Sequence, residues 1–149
     1  MLYSILFPCR TYSVGTSYIL LFLRLVFGIL FMMHGIDKVE NFSELSASFP
    51  EVLGISSKLS LILVIFAELI CSIAVVIGFM FRLALLPMIV AMSVAFGVVH
   101  HGSVAQGELS LIYLLIFLLM MIVGPGRYAI DTPLGAYINY KDDTCVTKN

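Results

Sequence analysis

The chain has 149 residues, 61% of them hydrophobic and 11% charged, with a mean hydropathy of +1.10 and a formal net charge of −1. Soluble domains carry roughly 45–50% apolar and about 25% charged residues, and a chain this short builds no soluble core large enough to hide the excess. A soluble globular protein is therefore excluded, and the lack of any basic cluster excludes nucleic acid as a partner.

What remains is an integral protein whose first partner is the lipid bilayer, of a length that suits one membrane domain over 1–149. The leading stretch Met1–Cys9 is apolar, but it has no basic start and is broken by Pro8-Cys9-Arg10. It reads as a cytoplasmic or interfacial lead-in and not as a signal peptide. Because lipid offers no hydrogen bonds to the backbone, apolar runs of about 20 residues read as helices.

Span one is expected over about 18–36. It carries Arg24 inside the apolar run, and a stripe of Arg24, Gly28, Phe31, Gly35 and Lys38 at spacings of four, three, four and three. Glycines on one helical face let a second helix come close. The connection 37–58 is the longest; Phe42, Leu45, Phe49 and Val52 recur at helical spacing with Glu40, Glu44 and Glu51 between them, the pattern of a short amphipathic helix lying in the interface. Span two, about 59–79, holds Glu68 near its middle and Cys71. Cys9, Cys71 and Cys145 include no C-x-x-C pair, so thiol-oxidising chemistry of that kind is disfavoured.

Span three follows a short turn and covers about 82–99. After the His100-His101 link, span four is expected over 107–123; its apolar core, 109–123, is only about 22 Å long at 1.5 Å per residue, so it is expected to borrow flanking residues such as Ser103–Glu108 or to thin the bilayer locally. Short links make neighbours antiparallel. The expected fold is all-α, a transmembrane four-helix up-down bundle with a short interfacial helix between spans one and two. Gly124-Pro125-Gly126 stops the last span, and Arg127 and Tyr128 then suit headgroup depth, with Arg82 on the same side and Asp131 free to cap a turn or accept from Arg127. The rest of 124–149 forms a tail.

Lys and Arg in the loops set orientation. Arg10, Arg82, Arg127, Lys141 and Lys148 lie on one side, and Lys38 and Lys58 on the other beside Asp37, Glu40, Glu44, Glu51 and Glu108. Five against two places both termini in the cytoplasm.

Charge inside a membrane costs about 2.5–3.5 kcal/mol or more at mid-span. Arg24 and Glu68 lie about 10 and 16 Å from the same membrane face at 1.5 Å per residue, a gap an arginine stem can bridge. They are expected to pair, either to lock helix register or to form a polar pocket for a quinone, a proton or a small anion. His34, His100 and His101 are expected at the opposite face with Asp37 and Lys38, a candidate site of its own. Two histidines from separate helices can ligate haem or another metal, but wet interfacial histidines are the commoner meaning, and no metal is expected.

These residues resemble the DoxX family of small membrane proteins: Arg24 in span one, then His34-Gly35-Ile36-Asp37-Lys38, then Glu68, Gly78 and Arg82, and last Gly124-Pro125-Gly126-Arg127-Tyr128-Ala129-Ile130-Asp131. The resemblance covers roughly 18–131. It implies a multi-pass four-helix bundle in the bacterial or archaeal cytoplasmic membrane. It also implies an accessory or quinone-interacting subunit of a membrane redox or oxidative-stress system rather than a self-sufficient enzyme. Family members look like partners of redox enzymes, including superoxide dismutase and a sulfurtransferase. Two other functions fit the same residues: a non-catalytic anchor that docks another protein on the glycine stripe, and a small transporter working as a homo-oligomer.

Overall fold

The computed structural model describes residues 13–52 and 54–135. The lead-in Met1–Cys9 and the tail beyond residue 135, with Lys141 and Lys148, lie outside the described residues. Those described are helical and contain no strand, and four helices among them are long and apolar enough to cross a membrane: α1 (Val14–Glu40), α3 (Ser57–Ile77), α4 (Phe81–Val99) and α5 (Val104–Val123). A shorter α2 (Phe42–Ser48) follows α1.

The first helix is longer than its hydropathy suggests. It starts at Val14 because Ser13 caps it, accepting from the Thr16 amide. It runs past the charged Asp37 and Lys38 because the backbone ladder continues to Asn41, whose amide donates to the Asp37 carbonyl at 3.1 Å. At about 1.5 Å per residue its 27 residues span about 40 Å, more than a bilayer core. The fourth membrane-length helix does borrow its flank, starting at Val104 with a break in helical geometry at Gly107.

Two helices change pitch part-way. Within α3, Phe66–Cys71 winds as a π-helix between α-helical Ser57–Ile65 and Ser72–Ile77; within α4, Ala95–Val99 does the same after Phe81–Val94. Segments of π-helix are rare and tend to occur at functional sites, because the wider turn re-aims side chains. Pro87 inside α4 removes one further amide from its ladder.

The buried core is a column of Phe31, Val75, Leu85, Met88, Phe117 and Met120 with their neighbours. Large apolar side chains such as Phe22, Ile70, Val90 and Ile122 point outward, as expected of helices bathed in hydrocarbon. Along α1 and α3 the register runs in opposite senses: Arg24 reaches Val75 and Val76, Gly28 faces Ser72 and Val76, and Gly35 faces Glu68. A Cβ on Gly35 would stand 3.0 Å from backbone atoms of Glu68 and Leu69, so only glycine permits this approach. The glycine stripe is thus occupied by the chain's own α3, and it is not available as a docking face for another protein.

Candidate functional site

The two intramembrane charges do not meet. Arg24, 1% exposed, uses all three guanidinium nitrogens on backbone carbonyls: Nε donates to Val75 O at 3.0 Å, Nη2 to Val76 O at 2.8 Å and Nη1 to Pro125 O at 3.0 Å. Val75 and Val76 close α3, where orphan carbonyls and the negative end of the helix dipole collect. Gly78 caps α3 by donating its amide to Ala74 O and Val75 O; the arginine adds a side-chain cap that also reaches Val76 O, and its third bond ties down the segment after α5. Phe81 stacks on it, with the guanidinium carbon 5.7 Å from the ring centroid.

The same knot uses the end of the Gly-Pro-Gly-Arg-Tyr-Ala-Ile-Asp run. Buried Asp131 accepts from the amides of Met80 at 2.8 Å and Phe81 at 2.7 Å, so it caps the start of α4 from fifty residues away. Its own amide donates to Gly78 O at 3.0 Å. Gly78 sits at φ 78°, and a Cβ there would lie 2.5 Å from Arg24 Nη2 and 2.6 Å from Ala129 Cβ, so glycine is required twice over. Asp131 thus serves α4 and not Arg127, which is exposed like Tyr128. Tyr128 lies against Tyr18 with ring centroids 5.3 Å apart, and the hydrogen bond between them pushes the Tyr128 phenol above its ordinary range. Arg82 is half-buried at the start of α4.

Glu68 finds a different partner. Its Oε2 accepts from Lys38 Nζ at 2.6 Å, with the glutamate side chain 4% exposed and the lysine 24%. The π turn carries Glu68, and the Gly35 approach brings α1 onto it. Lys38, one turn beyond Gly35 on the same stripe, then lies over the carboxylate. Lys38 also reaches the His34 carbonyl at 3.5 Å.

This ion pair opens into a cavity of about 330 Å³ between α1, α3, α4 and α5, within the roughly 300–1,000 Å³ range of small-molecule sites. Its polar lining is Lys38, Glu68, His34, Tyr113 and Ser110; the rest is apolar, with Phe49, Pro50 and Val52 of the loop after α2 contributing to the wall. His34 and Tyr113 stand within electrostatic range of the Glu68 carboxylate. Their rings pack edge to face at 6.0 Å, and Phe31 holds Tyr113 from the side at 5.1 Å. Both π segments border the cavity, through Glu68 on one and Ala95 and Val99 on the other.

Of the expected loop-end cluster, only His34 and Lys38 line this cavity. Asp37 is exposed, His100 packs beside Gly107, and His101 is exposed at φ 49°. No group of three His, Cys, Asp or Glu side chains among the described residues is placed to hold a metal ion. Tyr113 and Ser110 were not among the sequence candidates; Phe49 and Val52 were expected on the amphipathic helix, but that helix ends at Ser48 and both residues wall the cavity from the segment after it. Tyr113 had a signal, a hydroxyl set four residues before Phe117 inside an otherwise apolar run.

Four membrane-length helices around a buried Lys–Glu pair define a multi-pass integral membrane protein. The family model for DoxX matches residues 19–101, more than half of the chain. The chain belongs to the DoxX family. No curated protein and no solved structure matches it.

Proposed function

We propose that this protein is the quinone-interacting accessory subunit of a membrane redox or oxidative-stress system, built as an up-down four-helix bundle in the cytoplasmic membrane of a bacterium or archaeon. The observation that carries the reading is the Lys38–Glu68 pair at the wall of an otherwise apolar cavity. Polar groups in hydrocarbon are costly and mark binding sites or proton paths. Here Lys38, Tyr113, Ser110 and His34 supply hydrogen-bond donors, while Glu68 already neutralises the lysine. A ligand with a charged phosphate or carboxylate head would bring an uncompensated negative charge into this space. A neutral head whose carbonyl oxygens accept hydrogen bonds brings none, and a quinone is a membrane-soluble molecule of that description. The chain's part is to hold the quinone head, while the electrons and their donor belong to the partner enzyme.

Mild-detergent purification followed by mass spectrometry of everything that stays bound tests this. Retained quinone at close to one per chain is expected, falling at least tenfold in Lys38→Met. Co-purification of a soluble enzyme with no small molecule would replace the reading with that of an anchor. Solute flux in liposomes would replace it with that of a transporter.

Five basic residues against two support cytoplasmic termini, with α2 lying in the outer interface and Arg82 and Arg127 at inner headgroup depth. Reporter fusions at Ser46 and Asn149 are expected to report outside and inside respectively; an external reporter at Asn149 would reverse the orientation.

A further inference from the structure

A second cavity of about 340 Å³ lies against the first and shares Phe49, Val52, Val64, Ala91 and Val94 with it. The character of the two differs. The first holds the ion pair and the hydroxyls; the second adds only Ser60 to a lining that is otherwise apolar. It runs between α3 and α4 from Ile55 down to Phe66 and Pro87, and its lips, Leu63, Phe66 and Val90, are all exposed on the outer surface of the bundle. In a membrane that surface faces acyl chains, so the second cavity opens laterally to the lipid, with the shared side chains of Val64, Ala91 and Val94 between it and the polar chamber.

From this adjacency we infer that the two cavities serve as one binding site for an amphiphile, with the polar head beside Lys38 and Glu68 and a long hydrocarbon or isoprenoid tail that passes the shared Val64, Ala91 and Val94 side chains and lies between α3 and α4. The inference rests on the quinone-head reading and adds the tail, its path and the direction of access. A head in the first chamber faces Val64, Ala91 and Val94, and any chain attached to it has a ready-made apolar channel on their far side. The slot excludes water from the tail and leaves its far end in lipid, so the ligand reaches the site sideways from the bilayer and never crosses the aqueous loops. Pro87, on the wall of the slot, removes one amide from the ladder of α4 there. The Phe49–Val52 segment borders both cavities and forms a common wall over head and tail.

The test uses the full chain in detergent and two probes: a benzoquinone bearing a ten-carbon chain, and the same head with a methyl group in its place. Binding is corrected for partition of each probe into empty micelles. Wild-type protein is expected to bind the long-chain probe at least tenfold more tightly than the short one. Val90→Trp, at a position 60% exposed and so tolerant of bulk, is expected to abolish that difference while leaving short-probe affinity unchanged. Lys38→Met is expected to weaken both probes alike. Equal wild-type affinity for the two probes, or a long-chain preference untouched by Val90→Trp, would overturn the tail site and leave the head site standing. Failure of both probes to bind wild-type protein would overturn both readings together.

Discussion

Arg24→Ala is expected to lower the unfolding free energy by about 3–5 kcal/mol, the loss of two buried hydrogen bonds from a charged donor at about 1.5–3 kcal/mol each. The residue has no direct ion-pair partner among the described residues; its three nitrogens donate to Val75 O, Val76 O and Pro125 O. Alanine strips Val76 O and Pro125 O of the arginine while Val75 O keeps the Gly78 amide at 3.1 Å, and unsatisfied carbonyls are costly in hydrocarbon. Arg24→Lys is expected to recover less than half of the loss, because an ammonium lacks the planar fork that reaches three carbonyls at once. Equilibrium unfolding in mixed micelles measures both. Asp131→Ala removes the cap of α4 in the same knot and is expected to cost about 1–2 kcal/mol. The double variant should lose less than the sum, since Arg24 and Asp131 feel each other's charge. Glu68→Gln should not rescue Arg24→Ala. A rescue would mean that Arg24 and Glu68 are a pair after all, against the geometry.

That pairing is where the sequence misled, and the reason is physical. Depth along two ideal helices is a one-dimensional measure, and by it Arg24 and Glu68 were each other's nearest intramembrane charge. Two things invisible to it decided otherwise. The natural partners of Arg24 are backbone carbonyls at a helix end, which have no letter in the sequence. The π turn at Phe66–Cys71 rotates Glu68 towards α1, and a π turn has no compositional mark either. The stripe did contain the answer: Gly35 and Lys38 are three residues apart on one face, so the residue above the closest approach was the one to pair. The four spans were legible because lipid imposes a length and a hydropathy that few other environments share. Their ends were less so, since Asp37 and Lys38 end the apolar run at residue 36 while the hydrogen-bond ladder continues to Asn41.

The two polar knots differ in what they can do. At Arg24 each of the three nitrogens donates to a backbone carbonyl and the side chain is buried. At Lys38 one donor holds Glu68, and the side chain, a quarter exposed, borders a cavity. Sealed charge fixes helix positions; charge beside a cavity is available to a ligand. The proposed ligand binding therefore belongs to the Lys38–Glu68 end, and the Arg24–Asp131 end holds the helices together. A change at either should register mainly in its own measurement.

The contact that joins these roles is Gly35, and the second large effect is expected there. In Gly35→Ala the new methyl would stand 3.0 Å from the carbonyl carbon of Glu68 and the amide nitrogen of Leu69. Both are backbone atoms of the π turn and cannot rotate away, so α1 must move off α3, carrying Lys38 from Glu68. A loss of about 2–3 kcal/mol is expected, in the range of overpacked cores, together with at least a tenfold loss of quinone binding. Gly28→Ala is the control. Its Cβ would meet Val76 Cγ2 at 2.5 Å, a closer encounter on paper, but with the end of a side chain. Gly28→Ala combined with Val76→Ala should therefore return most of the stability and all of the binding. No side-chain truncation opposite Gly35 should do the same, because the obstacle there is the backbone that presents Glu68. Restoration of Gly35→Ala by trimming Leu69 would show that side-chain packing, and not backbone approach, sets the distance between α1 and the ion pair.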